Sequence, residues 1–375
     1  MWHNHNNLWW RFFPRKELTR IYLSSALRSF GLSLISLFVP LYLYKELGFT
    51  LAQTLGFFIF YSVIFAIATP LAAKYCARFG VKHSVLLSVP FYLLFILALY
   101  LMPIFSTPLF IIATFLGMSL GFYWMGMHHI FHKASNPKHR GEEVGKRIGI
   151  SILATVIGPL IGGFLIKYFG FAVVFTLCGG VLVLSTIVLF MSKEKHVKYH
   201  FSIKSVLDLH HWKNSLFFIS KGSRIIADGV VWPLFIFFIL DDYFSLGIIG
   251  SIIGGLTGMV AWLSGKYSDH IDKRKVAQIA TVFDSVGWIF RALVVTPFHV
   301  FTTTIFSTFT QGIRDSPLSA IEYDKAKGDV TGYFVYKEIY LCLGRVLMLS
   351  FLLIADSFSG GLIMQAVINF ATFLF

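Results

Sequence analysis

The feature that most constrains the fold is a series of apolar runs, each roughly 18–25 residues long, that recurs along the chain of 375 residues. A helix of about 20 apolar residues crosses the hydrocarbon layer of a membrane. Backbone N–H and C=O groups must be paired inside lipid, so runs of this length form helices there. The alternation of apolar and polar residues typical of membrane β-strands is absent. The sequence therefore predicts an all-helical, multi-pass membrane protein.

Composition agrees with this prediction. Hydrophobic residues make up 56% of the chain and charged residues 13%, whereas a soluble domain carries about 25% charged residues. The net charge of +14 does not indicate a nucleic-acid partner, because Lys and Arg lie between the apolar runs and form no single patch. Residues 1–20 lack the pattern of a cleaved signal peptide. They are predicted to form a basic, Trp-rich amphipathic segment on the cytoplasmic face of the membrane.

The distribution of basic residues predicts the orientation. They concentrate in the N-terminal segment and in the even-numbered connections, whereas the odd-numbered connections hold only Lys45 and Lys167. Positive residues mark the cytoplasmic side, so both termini are predicted to be cytoplasmic, in the cell (cytoplasmic) membrane. Twelve spans are predicted, at residues 21–44, 51–73, 84–105, 108–131, 148–166, 171–191, 215–240, 244–263, 276–295, 298–321, 331–355 and 360–375. The last span is short, so either it is marginal or the chain is truncated.

The two halves of the chain are related. Residues 192–214 are polar and basic, and they are predicted to be a cytoplasmic linker between six-helix bundles at 21–191 and 215–375. Residues 39–44 (VPLYLY) match residues 232–237 (WPLFIF), an offset of 193 that also lays Arg28 onto Lys221. Such a repeat about an axis along the membrane normal is typical of a large class of secondary transporters, whose substrate site lies between the halves.

This arrangement resembles the Major Facilitator Superfamily over nearly the whole chain. In that family a G-x-x-x-D-R-x-G-R-K/R loop lies between helices 2 and 3, recurs between helices 8 and 9, and tethers helix ends through charge pairs. Asp272 stands where the second copy usually has a Gly, and Ala73 and Ala77 replace the Gly and Asp of the first copy. The second copy keeps four motif residues: Gly265, Asp269, Lys273 and Arg274. The first copy keeps three: Arg78, Gly80 and Lys82.

A second motif lies in the predicted helix 5. Gly158, Pro159, Gly162 and Gly163 are similar to the family's GPxxGG motif, which its antiporters often carry. Glycines let helices approach closely, and a proline bends a helix where packing can change. A role in coupling and ordinary small-residue packing are both compatible with this pattern.

Several predicted spans contain ionisable residues, each of which costs about 2.5–3.5 kcal/mol in lipid and therefore needs a cavity or a partner. The family resemblance implies that helices 1, 4, 7 and 10 line a central cavity, and the family's organophosphate exchangers also use basic residues on helices 1 and 7. The residues predicted to contact solute are Arg28, Lys221, Arg224, Arg314 and Trp124. The basic residues outnumber Asp228 and Asp315, which predicts a positively biased cavity for an anionic or polar solute. Ion pairs that only join helices are the alternative.

The predicted coupling carboxylates are Asp228 and Asp315. Asp228 lies near the membrane midplane and one helical turn from Arg224. A buried carboxylate beside a cation can gain or lose a proton as the cavity opens to either side. Asp284 and Arg291 share a face of helix 9. They are expected to form a structural pair, because helix 9 is peripheral in the family.

The predicted function is alternating-access transport of a small solute, driven by a gradient of protons or of a counter-solute. The expected partners are the solute and membrane lipids, and the protein is predicted to be a monomer. The alternatives are a lipid flippase of the same fold and a non-transporting membrane sensor or scaffold. The sequence has no phosphate-binding loop and no nucleophile constellation, so neither an enzyme nor a cofactor is expected. His128, His129 and His132 have no Cys or carboxylate nearby in sequence, so they are expected to be interfacial polar residues and no metal site is predicted.

Overall fold

The computed structural model describes residues 16–134, 156–191, 196–198, 211–268 and 272–375. Within these ranges the regular structure is helical and includes no strand. The helices, in chain order, are α1 (Lys16–Ser33), α2 (Leu51–Phe79), α3 (Val81–Leu101), α4 (Leu109–Ala134), α5 (Val156–Phe169), α6 (Phe171–Phe190), α7 (Trp212–Leu240), α8 (Tyr243–Ser268), α9 (Lys273–Ala292), α10 (Pro297–Lys325), α11 (Val330–Ala355) and α12 (Phe358–Ile368). Residues 1–15 and most of the predicted linker 192–214 lie outside the described ranges.

The helices form two bundles with matching contacts. In the first bundle α1 packs on α6, α3 on α4, and α2 on α4. In the second bundle α7 packs on α12, α9 on α10, and α8 on α10. These are the same pairs displaced by six helices. The expected fold class, two pseudo-symmetric helical bundles, is therefore present.

Seven of the described helices are long and apolar enough to cross a membrane: α2, α3, α4, α6, α7, α8 and α11. The helices α5 and α12 are apolar but shorter. Lys, Arg and Asp residues within α9 and α10 lower the apolarity of these two helices. The total of twelve spans stays a prediction.

The repeated prolines interrupt α7 and the segment after α1 at equivalent places. A proline has no N–H to donate to the preceding turn, so the helix ladder must adjust nearby. Pro233 follows a π-helical turn at Ala227–Val231, within which Asp228 lies. Pro40 lies in a short turn, Val39–Leu41, just before a second π-helical turn at Tyr42–Glu46. Wider turns of this kind are frequent at functional sites.

The bundles meet along two helix pairs, α5 with α8 and α2 with α11. The first pair is a close backbone contact: a Cβ added to Gly163 would lie 2.5 Å from the carbonyl oxygen of Tyr243, and one added to Gly247 would lie 2.5 Å from that of Pro159. In the second pair, the Arg345 guanidinium lies 4.9 Å from the centre of the Phe65 ring. These interfaces enclose the space between the bundles.

Candidate functional site

A cavity of about 500 Å³ lies between the two bundles. From the first bundle it is lined by the aromatic side chains of Tyr123 and Trp124 on α4 and by Pro159 on α5. A row of serines also lines it, three on α1 and one just after this helix: Ser25, Ser29, Ser33 and Ser36. The first three are spaced four residues apart and therefore share one helix face. This spacing is visible in the sequence and indicates a polar cavity wall, but the serines were not among the predicted site residues.

A second cavity of about 300 Å³ adjoins the first on the side of the second bundle. The two share Asp228, Gly229 and Gln311 in their walls, so they lie next to each other. Five charged residues that the sequence singled out line the second cavity: Lys221, Arg224, Arg314, Asp228 and Asp315. The structure thus places every predicted solute or coupling residue except Arg28 in these two adjoining cavities, with Trp124 in the wall of the first.

Two crossed ion pairs join α7 to α9. Arg224 binds both carboxylate oxygens of Asp284, with its Nη2 atom 3.1 Å from Oδ1. Arg291 Nη1 lies 2.6 Å from Asp228 Oδ1, and Arg224 Nε lies 3.5 Å from Asp228 Oδ2. Asp284 and Arg291 therefore each pair with α7 and do not form the pair expected within α9. Helix α9 lies close enough to α7 for opposite charges at matching depths to meet across the two helices.

Arg314 on α10 joins these helices to the 3-10 helical turn Asn369–Leu374, which follows α12. Its Nη1 atom lies 3.5 Å from Asp315 Oδ1 and 4.0 Å from Asp284 Oδ2. Its Nε atom donates to Thr281 at 3.2 Å, and its Nη2 atom donates to Thr372 at 3.1 Å. Three guanidinium groups thus face three carboxylates inside the second bundle. A buried charge without a counter-charge is strongly destabilising, so each member holds the others in place.

A second ionic cluster, which the sequence analysis did not identify, centres on Glu322. This buried carboxylate on α10 binds the amino groups of Lys221 on α7 and of Lys337 on α11, with Lys337 Nζ 2.8 Å from Oε2. Two cations on one carboxylate leave a net charge of +1. Glu322 directly follows the predicted span 298–321, but the helix continues to Lys325.

Arg28 lies apart from the central cavity. It is 2% exposed and lines a small hollow inside the first bundle. Its guanidinium carbon lies 4.0 Å from the centre of the Tyr123 ring and 5.8 Å from that of Tyr92. Tyr123, Ser25 and Met127 line both the hollow and the central cavity, so the two spaces adjoin.

The first copy of the loop motif forms the turn between α2 and α3. Gly80 has a φ angle of 102°, in the region that favours glycine. Lys82 Nζ donates to the carbonyl oxygen of Phe190 at the end of α6, at 3.3 Å. The guanidinium of Arg78 lies 5.2 Å from the centre of the Phe79 ring. The basic residues of this copy therefore contact a helix end and an aromatic ring.

The second copy begins α9. Asp272 caps this helix by accepting hydrogen bonds from the backbone N–H of Arg274 at 3.0 Å and of Lys275 at 3.4 Å. This explains an aspartate at the place where the family usually has a glycine. Lys273 Nζ lies 3.8 Å from a carboxylate oxygen of Asp324 on α10. Gly265 belongs to the end of α8, and Asp269 lies outside the described residues.

The helix-5 motif places α5 between α1 and α8. A Cβ added to Gly158 or Gly162 would overlap Ser33 or Leu34 at the end of α1. Pro159 and Gly163 instead face α8, where Gly247 contacts both. The same four-residue motif thus packs α5 within the first bundle and against the second.

His128 joins the bundles at the end that carries the even-numbered connections. Its Nε2 atom lies 2.8 Å from Glu338 Oε1 on α11, and its Nδ1 atom lies 3.1 Å from the hydroxyl of Tyr323 on α10. His128 and His129 are 3% and 2% exposed, so both are buried within the protein, and their position at the membrane edge stays a prediction. The reason for their burial is that α4 contacts α11 there and covers them.

Exposed polar contacts join the bundles at the opposite end. Lys45 Nζ lies 2.5 Å from Asp241 Oδ1, and Lys167 Nζ lies 2.9 Å from Asp242 Oδ1. Tyr243 also donates its hydroxyl hydrogen to Glu46 at 2.6 Å. The only two lysines of the odd-numbered connections therefore both serve as contacts between the bundles.

Two helical bundles related by a repeat, with a polar cavity between them, define a membrane transporter of the secondary type. A model of the Major Facilitator Superfamily matches residues 21–349. The chain belongs to that superfamily, as its motifs predicted.

Similarities to individual proteins are consistent with membership of this superfamily. The chain is 26% identical over 365 residues to the uncharacterized protein YqgE of Bacillus subtilis (strain 168), covering 90% of this chain and 83% of the relative. It is 28% identical over 297 residues to the multidrug resistance protein MdtG of Proteus mirabilis (strain HI4320), covering 72% and 70% of the two chains. The crystal structure of the human organic anion transporter MFSD10 (TETRAN) matches with a TM-score of 0.67 at 13% identity, covering 96% of this chain and 99% of the other. At that identity the match shows a shared fold.

Proposed function

We propose that this chain moves a small organic solute with a polar or anionic group across the cytoplasmic membrane by alternating access. The observation that carries the proposal is the pair of adjoining cavities, the first lined by Trp124, Tyr123 and serines and the second lined by charged side chains. An aromatic wall suits the apolar body of a solute, and a charged wall suits its ionised group. The even-numbered connections are proposed to face the cytoplasm.

The charges favour an anion over a cation. Three basic and two acidic side chains line the second cavity. Lys221, whose side chain is 25% exposed, also belongs to the Glu322 cluster with its net positive charge. An excess of positive charge in a concave site of low dielectric constant attracts and retains anions. The volume of the cavities is large enough for an organic solute. The Proteus relative is named a multidrug resistance protein, which also favours an organic solute.

The solute preference can be tested by thermal unfolding of the purified protein in detergent with a panel of organic anions, cations, neutral solutes and lipids. We expect organic anions to raise the unfolding temperature, and Lys221→Gln to reduce this effect at least tenfold in apparent affinity. Lys213→Gln is the matched control, since Lys213 is an exposed residue on the same helix. Stabilisation by cations alone would contradict the anion preference, and stabilisation by lipids alone would indicate a flippase.

Asp228 is the proposed coupling carboxylate. Its side chain is 24% exposed and lies where the two cavities join, between Arg291 at 2.6 Å and Arg224 at 3.5 Å. A solute anion that attracts either arginine would weaken that arginine's hold on Asp228 and so favour protonation of the carboxylate. Solute and proton binding would thereby be linked.

In proteoliposomes, Asp228→Asn is expected to abolish transport driven by a pH gradient and to retain exchange of labelled for unlabelled solute. Asp356→Asn, at an exposed helix end, is the control. Unchanged pH-driven transport by Asp228→Asn would refute the coupling assignment, and loss of both activities would assign Asp228 a general role in the transport cycle.

A further inference from the structure

The excess positive charge beside the second cavity belongs to one small cluster of side chains. The buried arginines of α7, α9 and α10 face three carboxylates, so that set of ion pairs is neutral. Glu322 differs, because this carboxylate binds two amino groups, those of Lys221 and Lys337. Two cations on one anion leave an excess of one positive charge, and it lies beside the cavity that Lys221 lines.

The two lysines of this cluster differ in their access to the cavity. Lys221 lines it with a partly exposed side chain, whereas the Lys337 side chain is buried and does not line it. Glu322 is also buried and does not line it. A solute in the second cavity can therefore contact Lys221, whereas Lys337 acts on that solute through Glu322.

Each lysine has its own oxygen atom of Glu322. Lys221 binds Oε1, and Lys337 Nζ lies 2.8 Å from Oε2. The same Lys337 amino group lies 5.7 Å from the centre of the Tyr323 ring, which adds a cation–π contact. When Lys221 turns from Oε1 towards a solute anion, Glu322 therefore keeps a counter-charge at Oε2.

Without Lys337 the same movement of Lys221 would be unfavourable. Glu322 would become a buried carboxylate with no ion-pair partner in the described part of the chain, and a buried charge of that kind is strongly destabilising. Lys221 would therefore stay paired with Glu322, and this pair carries no net charge. The second cavity would lose its excess positive charge although Lys221 itself is unchanged.

We propose that Lys337 is a positioning residue that makes the amino group of Lys221 available to the anionic group of the solute. Lys337 does not touch the solute; it neutralises Glu322 when Lys221 leaves that carboxylate. This inference rests on the proposed function, because it requires a solute anion at Lys221. It assigns the anion preference of the second cavity to the charge balance of three residues, of which the solute contacts one.

The test measures the apparent affinity of the full-length protein in detergent for four aromatic anions, from the rise of the unfolding temperature with anion concentration. The anions are benzoate, benzenesulfonate, naphthoate and naphthalenesulfonate. Lys337→Gln removes one positive charge from the cluster and should weaken anion binding about tenfold. Lys327→Gln should keep the affinity, since Lys327 is an exposed residue just before α11 and the change in net charge is identical.

A double variant separates this role from a purely structural one. Glu322→Gln combined with Lys337→Gln leaves Lys221 without an acidic partner in the cluster and restores the excess of one positive charge. The double variant should therefore regain the anion affinity that Lys337→Gln loses. A structural role of Lys337 predicts no such recovery, because two buried residues are then altered. Lys337→Met is measured in the same way if Lys337→Gln does not fold.

The outcomes distinguish this inference from the proposed function. Unchanged anion affinity in Lys337→Gln, together with weaker binding by Lys221→Gln, would overturn the inference and leave the proposed function standing. Weaker binding by Lys337→Gln without recovery in the double variant would also overturn it. If none of the four anions stabilises the unmodified protein, the inference and the anion preference fail together.

Discussion

Neutralising one member of the Arg224–Asp284 pair should destabilise the second bundle strongly. Both side chains are buried, and Arg224 binds both oxygens of Asp284. In Asp284→Asn the guanidinium keeps only the longer contact with Asp228, 3.5 Å from its Nε atom. Breaking a buried pair by removing one partner costs about 3–5 kcal/mol. We expect a loss in this range for Asp284→Asn and for Arg224→Gln.

The double variant distinguishes a direct pair from two independent effects. Arg224→Gln with Asp284→Asn places two neutral amides side by side, and neither buried charge remains. Contacting residues show interaction energies of about 0.5–3 kcal/mol, and a bidentate buried pair should lie at the upper end. The double variant should therefore be about 2–3 kcal/mol more stable than the sum of the single losses predicts.

The assay is reversible unfolding in mixed micelles, followed by Trp fluorescence, on the four proteins of this cycle. Trp288 lies against Arg224, with 5.9 Å between guanidinium carbon and ring centre, and should report the local change. Asp356→Asn is the control, since this exposed residue has a φ angle of 45° that Asn also adopts readily. Additive losses in the double variant, or a loss below about 1 kcal/mol for Asp284→Asn, would refute a pair of this strength.

Two further predictions concern helix packing and acid stability. A Cβ on Gly222 would overlap the backbone of Leu341, so Gly222→Ala should lower the free energy of unfolding by about 1–3 kcal/mol. A Cβ on Gly56 would meet no atom within 4 Å, so Gly56→Ala should cause no such loss. Burial opposes ionisation of Asp242, but hydrogen bonds from Lys167 and Ser245 outweigh it and hold its pKa below the ordinary 3.8. The stabilisation by ionised Asp242 is therefore present above pH 3.8 and lost as the pH falls through the lowered pKa. In thermal unfolding at decreasing pH, Asp242→Asn should not show the part of the stability loss that comes from protonation of Asp242.

The fold follows from sequence because its determinants are local. Apolar run length and the positions of basic residues depend on one segment at a time, and the repeated prolines at 40 and 233 relate the halves directly. The convergence of charges on α7 was also accessible: Lys221, Arg224 and Asp228 are three and four residues apart and so share a helix face. Spacing within one helix is enough for that inference.

The ion-pair partners of these charged residues could not be predicted from spacing within one helix. The i, i+4 spacing of Arg224 and Asp228 suggested a pair, whereas the shortest contacts of both residues are with α9. Which helix lies opposite is a property of three-dimensional packing, and family resemblance assigned α9 to the periphery. His128 shows the same limit, since its burial results from α10 and α11, about 200 residues away in sequence. Glu322 was missed for a simpler reason, an apolar run that ends before the helix does.

The distribution of polar contacts indicates which step of the proposed rocking of the two bundles is the more costly. Among the described residues, the buried pairs centred on Asp228, Asp284 and Glu322 all lie within the second bundle. Between the bundles, one buried pair, His128 with Glu338, lies at the even-numbered end, and exposed pairs lie at the other. Exposed pairs contribute roughly 0–1 kcal/mol each, far below the ~5.5 kcal/mol needed to reverse a 1:99 equilibrium. In the proposed alternating-access cycle, opening the odd-numbered end therefore breaks little polar structure. Opening the other end separates a buried histidine from its carboxylate, so we expect that step to be the more costly one.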